Sequence, residues 1–221
     1  MKYRAILLFG APGAGKGTQG KILGQIPNFV HFSCGDAFRN LRVDSPLGRT
    51  FVEYAGKGQL VPDEPTIELW RKSIEALEAT GRFHPDADTM LLDGIPRNPN
   101  QARIMTELVE VVAIFNLFCP HVEKLVSRLQ RRALKDNRLD DANVDVIRAR
   151  LETYKRETRA VLECYDDRLI HQIDSTQEPM LVLLDILKII ARIPKPAISD
   201  GGTVFSEVPE PERSSPANVA S

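Results

Sequence analysis

Apolar residues along the chain follow two rhythms. Short, nearly unbroken runs occupy residues 5–9, 90–92 and 111–117, with weaker ones at 28–32 and 169–173. Runs with so few polar positions are the mark of strands buried on both faces. Between them, apolar residues recur at helical spacing and predict helices over 64–78, 101–110, 121–132, 144–164 and 179–193. Strands alternating with helices predict a central parallel sheet covered on both faces, a three-layer α/β/α fold with all strand C-termini along one edge. Ligands of such sheets sit at that edge.

Three stretches break the rhythm. Residues 33–62 hold two short helical patterns and no strand, which predicts a small helical insertion. Residues 133–142 read as a polar connection between two helices. From Pro194 onward the chain is rich in Pro, Ser, Gly and Glu and poor in large apolar residues, predicting a disordered tail over 194–221.

Composition narrows the function classes more than it names one. A chain of 221 residues suits one sizeable domain with a core of its own. Its formal net charge of -1 gives no overall field toward nucleic acid or membrane. Cys34, Cys119 and Cys164 are far apart and odd in number, so neither a disulfide framework nor a zinc site is indicated. The first apolar run is shorter than the roughly 7–15 residues of a signal-peptide core, and no run approaches the ~20 needed to cross a bilayer. The expectation is a cytoplasmic protein.

Candidate chemistry begins at the end of the first strand. Residues 10–16, Gly-Ala-Pro-Gly-Ala-Gly-Lys, match G-x-x-x-x-G-K between a strand and a helix carrying Ile22, Leu23 and Ile26. Glycines let backbone N–H groups approach phosphate oxygens, the helix N-terminus adds positive potential, and Lys16 adds a full charge. The hydroxyl that usually follows the lysine and binds magnesium comes one place late: Gly17 precedes Thr18. Magnesium is therefore expected through nucleotide oxygens and water, without direct protein ligation, near the carboxylate of Asp93. Asp93 ends the 90–92 run, and Arg97 follows four residues later with a planar fork suited to phosphate. Arg128 and Arg132 lie four apart on one predicted helix face, Arg138 follows in the polar connection, and Arg148 and Arg150 lie on the next helix. His31, His84, His121 and His171 show no metal-ligand spacing, and Trp70 reads as a core or interface residue.

Five segments then occur in one order and spacing: GAPGAGKGTQ, HFSCGDAFR from His31, GQLVPDE from Gly58, LLDGIPRNPNQA from Leu91 and RARLETY from Arg148. In these the chain resembles the adenylate kinases over roughly residues 3–193. The resemblance implies a P-loop NTPase fold with a core (1–32, 63–131, 143–193), a nucleoside-monophosphate-binding insertion (33–62) and a short LID (132–142). It implies ATP phosphates on Gly13, Ala14, Gly15, Lys16, Gly17 and Thr18, with Arg128 and Arg132. It implies AMP on Cys34, Arg39, the backbone of Gln59, Leu60 and Val61, on Gly94, Ile95, Pro96, Arg97 and Gln101, and on Arg138 and Arg150. Transfer would be carried by Lys16, Asp93, Arg97, Arg132, Arg138 and Arg150, with Arg148 and Arg131 turned to solvent and the turn near Thr176 and Gln177 against the adenine of ATP.

The expected reaction moves the γ-phosphate of MgATP reversibly to AMP, giving two ADP, in a monomer with no nucleic-acid or membrane partner. Cys34 replaces the threonine common in adenylate kinases, and Asn98 also occurs in pyrimidine monophosphate kinases, so UMP/CMP kinase stands as the alternative. Gln101 weighs toward AMP, because its amide both donates to and accepts from an adenine edge. A P-loop switch without transfer is a third reading, which Arg39, Arg97 and Gln101 oppose.

Overall fold

The computed structural model describes residues 2–136, 138, 141 and 143–194, so the expected tail lies outside the described residues apart from Pro194. Five parallel strands form one sheet: β1 (Tyr3–Gly10), β2 (Phe29–Ser33), β3 (Thr89–Asp93), β4 (Val109–Phe118) and β5 (Ile170–Asp174), in the order β2-β3-β1-β4-β5. Alternate residues of β1 feed two cores. Ala5, Leu7 and Phe9 point into one, with Trp70, Ile74, Phe83 and Met105; Ile6 and Leu8 point into the other, with Leu23, Leu125, Leu129, Ile147 and Ile186. The sheet is thus buried on both faces, as its unbroken apolar runs require.

The helices are α1 (Lys16–Leu23), α2 (Cys34–Arg39), α3 (Pro46–Gly56), α4 (Asp63–Ala79), α5 (Pro99–Leu108), α6 (Val122–Asp136), α7 (Val144–Thr153) and α8 (Pro179–Ile190). The two helical patterns of 33–62 are α2 and α3, each started by a serine that accepts a backbone N–H: Ser33 from Asp36 and Ser45 from Gly48. Stacked rings of Phe38 and Phe51, 5.3 Å apart, pack the pair together. Trp70 is a core residue at 1% exposure, edge-on to Tyr3.

Several boundaries differ from expectation, α8 for one ending at Ile190 where the pattern ran to residue 193. Helix α5 stops at Leu108 because the β-branched run from Val109 pairs with β1, starting at Tyr3. Helix α6 continues through Asp136, so residues 133–136 are helical and the polar connection is shorter. The single helix expected over 144–164 is α7, then a π-helical turn (Tyr154–Thr158) and a 3₁₀ segment (Arg159–Cys164). That widened turn lies where two buried hydroxyls are spent on other segments: Thr153 donates to Gly58 O at 3.1 Å and Thr158 to Arg97 O at 2.9 Å. On α1, Leu23 is buried while Ile22 is 42% exposed, and the helix ends before Ile26. Among the described residues no helix is long and apolar enough to cross a membrane.

Candidate active site

A cavity of about 690 Å³ opens over the C-terminal ends of β1 and β3, within the size range of small-ligand sites. Its lining carries ten lysines and arginines against three aspartates, a surplus suited to polyanions.

The floor is the loop from β1 into α1. Gly13 and Gly15 take φ of +85° and +101°, left-handed values that side chains resist. A Cβ on Gly13 would also lie 2.9 Å from Leu125 O on α6. Helix α1 starts at Gly15 with no side-chain cap and no acid in its first turn, leaving its N–H groups for a ligand. Lys16 Nζ donates to Gly10 O at 2.8 Å and Ala11 O at 3.3 Å. Burial pushes this ammonium down to about 8; Asp93 opposes the shift, while Arg97, Arg132 and Arg150 add to it. The register pairs Asp93 with Leu8, placing its carboxylate beside the loop. A Cβ on Gly17 would lie 3.5 Å from Asp93 Oδ2.

Other cations close on this floor. Arg97 Nε donates to Gly94 O at 2.8 Å, and Arg128 donates to Gly13 O at 3.4 Å and Ser175 O at 2.9 Å, tying the loop to the segment after β5. Opposite them, Asp36 holds Arg39 at 2.6 Å and Arg138 at 3.2 Å. Burial alone would raise the Asp36 carboxyl, but Arg39, Arg138 and Lys21 outweigh it and hold it below the usual range. Asp141, fully buried, accepts Arg132 Nε at 2.7 Å through one oxygen and pairs with Arg150 through the other.

Of the residues singled out in the sequence, Gly13 to Thr18, Arg39, Gln59, Leu60, Asp93, Gly94, Pro96, Arg97, Arg128, Arg132, Arg138 and Arg150 all line this cavity. Cys34, Val61 and Gln101 line a smaller one of about 50 Å³ beside it, bounded by Phe38 and Phe51. Ile95 does not line either: its side chain is in the core. Arg148 is exposed and near Glu123, as expected, whereas Arg131, though exposed, borders the large cavity. Burial pushes the Cys34 thiol up to about 11, so it is an uncharged wall at neutral pH. Gln177 lines the large cavity and donates to Asp185 at 2.9 Å.

Sequence reasoning passed over Asp36 and Thr158, which line the large cavity, and Asp141 and Asp63, which act through other residues. Only Asp141, in an Asp-Asp pair between the arginines, carried a local signal.

A family model described as adenylate kinase matches residues 8–170. The adenylate kinase of Corynebacterium urealyticum is 34% identical over 191 residues, covering 81% of this chain and 98% of its own length. That of Thermobifida fusca is 37% identical over 177 residues, covering 77% and 89%. The chain belongs to the adenylate kinase family. It is a phosphotransferase, a nucleoside monophosphate kinase. Adenylate kinase membership accounts for a cavity with two cationic walls, since phosphoryl transfer spreads negative charge over oxygens that fixed positive groups must meet.

Proposed function

We propose that the cavity binds MgATP on the P-loop wall and AMP on the wall made by α2, α3 and the Gly94–Arg97 turn, and exchanges the γ-phosphoryl between them. Gly13 to Thr18 with Arg128 and Arg132 take the ATP phosphates. Arg39, Arg97, Arg138 and Arg150 take the AMP phosphate, and Gln101 takes the adenine. Residues 33–62 then act as the acceptor-binding insertion and 132–142 as the LID, on a core made of the rest of 1–193.

An oxygen of the AMP phosphate attacks the γ-phosphorus, forming one P–O bond as the bond from γ-phosphorus to the β–γ bridging oxygen breaks. Both products are ADP. The nucleophile is already an anion, so no side chain has to accept a proton. Lys16, Arg97 and Arg132 meet the charge on the migrating group. Closure excludes water as a competing acceptor.

The donor set suits a magnesium ion that arrives with the nucleotide. Among the described residues no group of three His, Cys, Asp or Glu side chains could hold a metal, whereas Asp93 lies beside the phosphate loop with Gly17 open before it. Asp93 would orient the ion's waters, and the ion when bound supplies charge neutralisation on the phosphates.

The observation that carries the AMP reading is the use of the two amides of residues 98 and 101. Asn98, the feature shared with pyrimidine kinases, caps α5 by accepting Gln101 N at 2.8 Å and donates to Asp63 at 2.7 Å, leaving the small cavity to Gln101. At about 50 Å³ that cavity is smaller than a base, so acceptor binding requires its lining to rearrange. We take the enzyme to act as a cytoplasmic monomer.

An acceptor panel tests the reading: kcat/KM for AMP, dAMP, UMP and CMP with MgATP, with Arg97→Ala as control. AMP should lead, and Arg97→Ala should lose on the order of 10³-fold. Turnover confined to pyrimidines refutes it in favour of UMP/CMP kinase. ATP binding with no ADP formed from any acceptor refutes transfer itself.

A further inference from the structure

The Asp63 carboxylate, at the first residue of α4, accepts three side-chain amides: Asn98 at 2.7 Å, Asn100 at 2.7 Å and Gln101 Nε2 at 2.9 Å. At its other end the Gln101 amide accepts, its Oε1 taking the Arg97 backbone N–H at 2.8 Å. A carboxylate can only accept here and a backbone N–H can only donate, so the amide has one orientation. Turned over, it would set oxygen against carboxylate and N–H against N–H, losing both hydrogen bonds. Each amide atom keeps one further capacity, a second hydrogen on Nε2 and a second lone pair on Oε1. Gln101 is 1% exposed and borders the small cavity, so whatever enters there meets this amide dry.

We propose that Asp63 is a specificity-determining positioning residue: by locking the Gln101 amide one way round, it makes the acceptor site choose a 6-aminopurine nucleotide over a 6-oxopurine one. The proposal rests on the reading that the acceptor base meets Gln101. Adenine presents an accepting ring N1 beside a donating amino group. Hypoxanthine presents a donating ring N1–H beside an accepting oxygen. The locked amide, donor on the Asp63 side and acceptor on the Arg97 side, complements one of these edges; the inverted amide complements the other. A glutamine free to turn would accept both bases. Burial pushes the Asp63 carboxyl up, but the donors Asn100, Asn98 and Gln101 outweigh it and hold it below the ordinary carboxylate range, so the lock stays ionised at neutral pH.

The test is kcat/KM for AMP divided by that for IMP, with MgATP as donor. Asp63→Asn keeps the shape but can offer Gln101 an oxygen or an amide, so it weakens one of the two bonds that set the orientation and leaves the Arg97 N–H as the remaining one that opposes the inverted amide. The AMP:IMP ratio should fall about tenfold or more, the loss expected when one buried hydrogen-bond mismatch is relieved, with KM for AMP rising more than KM for ATP. Asp63→Glu, which restores a carboxylate, should recover part of the ratio. An unchanged ratio in Asp63→Asn, while Gln101→Ala raises KM for AMP, overturns the lock and leaves the base reading standing. If Gln101→Ala leaves KM for AMP unchanged, the base reading falls and takes the lock with it. Should Asp63→Asn fail to fold, a crystal structure of the unaltered chain with AMP decides: Gln101 Nε2 still bonded to Asp63 while facing the base supports the lock, and an amide released from Asp63 overturns it.

Discussion

The cavity holds its cations by two different means, a division that cuts across the proposed ATP and AMP sides: Arg97, assigned to AMP, falls in the first set and Arg132, assigned to ATP, in the second. On the floor, Lys16, Arg97 and Arg128 are aimed by backbone carbonyls, those of Gly10, Ala11, Gly94, Gly13 and Ser175. On the opposite wall, Arg39 and Arg138 lean on Asp36, and Arg132 and Arg150 on Asp141. A carbonyl is neutral and takes no charge from its donor, so on the floor, among the described residues, only Asp93, acting on Lys16, offsets part of it. On the opposite wall the paired carboxylate already offsets much of the charge, so an incoming phosphate competes with the acid for the same guanidinium. On the proposed reading the floor is a ready-made anion site, and the opposite wall is a set of arginines held by acids that nucleotide would displace. Preorganisation of this kind is where enzymes gain most in charge stabilisation, so floor changes should strike turnover hardest.

The sharpest contrast comes from Lys16→Met. With the floor charge gone, turnover should fall on the order of 10³-fold, measured as steady-state kcat, with the melting temperature little lowered. A loss below tenfold would erase the distinction between the walls. Asp141→Asn probes the opposite wall. It leaves Arg132 and Arg150 facing each other without their buried counter-charge, and breaking such a pair costs about 3–5 kcal/mol where it is fully buried. These arginines are partly solvated, so a lower melting temperature and a roughly 10–100-fold loss of kcat are expected. Equal melting temperatures would show that Asp141 does not hold the pair together.

The smallest effect separates the walls by pH. Lys16 titrates near 8 without ligand, and phosphate must raise that value by favouring the ammonium. Below about 8 the lysine is charged both free and bound, so it adds no pH dependence to ATP affinity. Above it, binding takes up a proton, and the ATP dissociation constant should rise toward tenfold per pH unit until the bound-state value is reached. Guanidinium groups do not titrate there, so Lys16→Arg should flatten the profile in calorimetric titrations. An unaltered profile in that variant would assign the effect elsewhere.

The same contrast explains what the sequence made legible. Strands β1 and β3 were readable because burial on both faces leaves almost no polar position, and the floor because its glycines, lysine and aspartate are contiguous or end a strand. Asp36 with Arg39 and Asp141 with Arg132 and Arg150 are close in sequence, whereas some supports lie far apart in the chain: Asp36 meets Arg138 across 102 residues, and Asp63 meets Gln101 across 38. No local pattern announces such pairs. Helix ends failed for a related reason. The π-helical turn after Thr153 coincides with hydrogen bonds to Gly58 and Arg97, tertiary contacts that periodicity along one segment does not encode. That the Ile95 side chain turns inward to the core was hidden in the sequence, because a contiguous motif does not reveal which of its side chains does so.

The most direct measurement is a crystal structure with a bisubstrate ligand of two adenosines joined by five phosphates. The account predicts one ligand per chain, its phosphates running from Lys16 and the α1 N-terminus to Arg39, with Arg97, Arg132 and Arg138 around the middle and Gln101 at one adenine. Phosphates lying outside this cavity, or two ligands bound end-on with their phosphates apart, would contradict it.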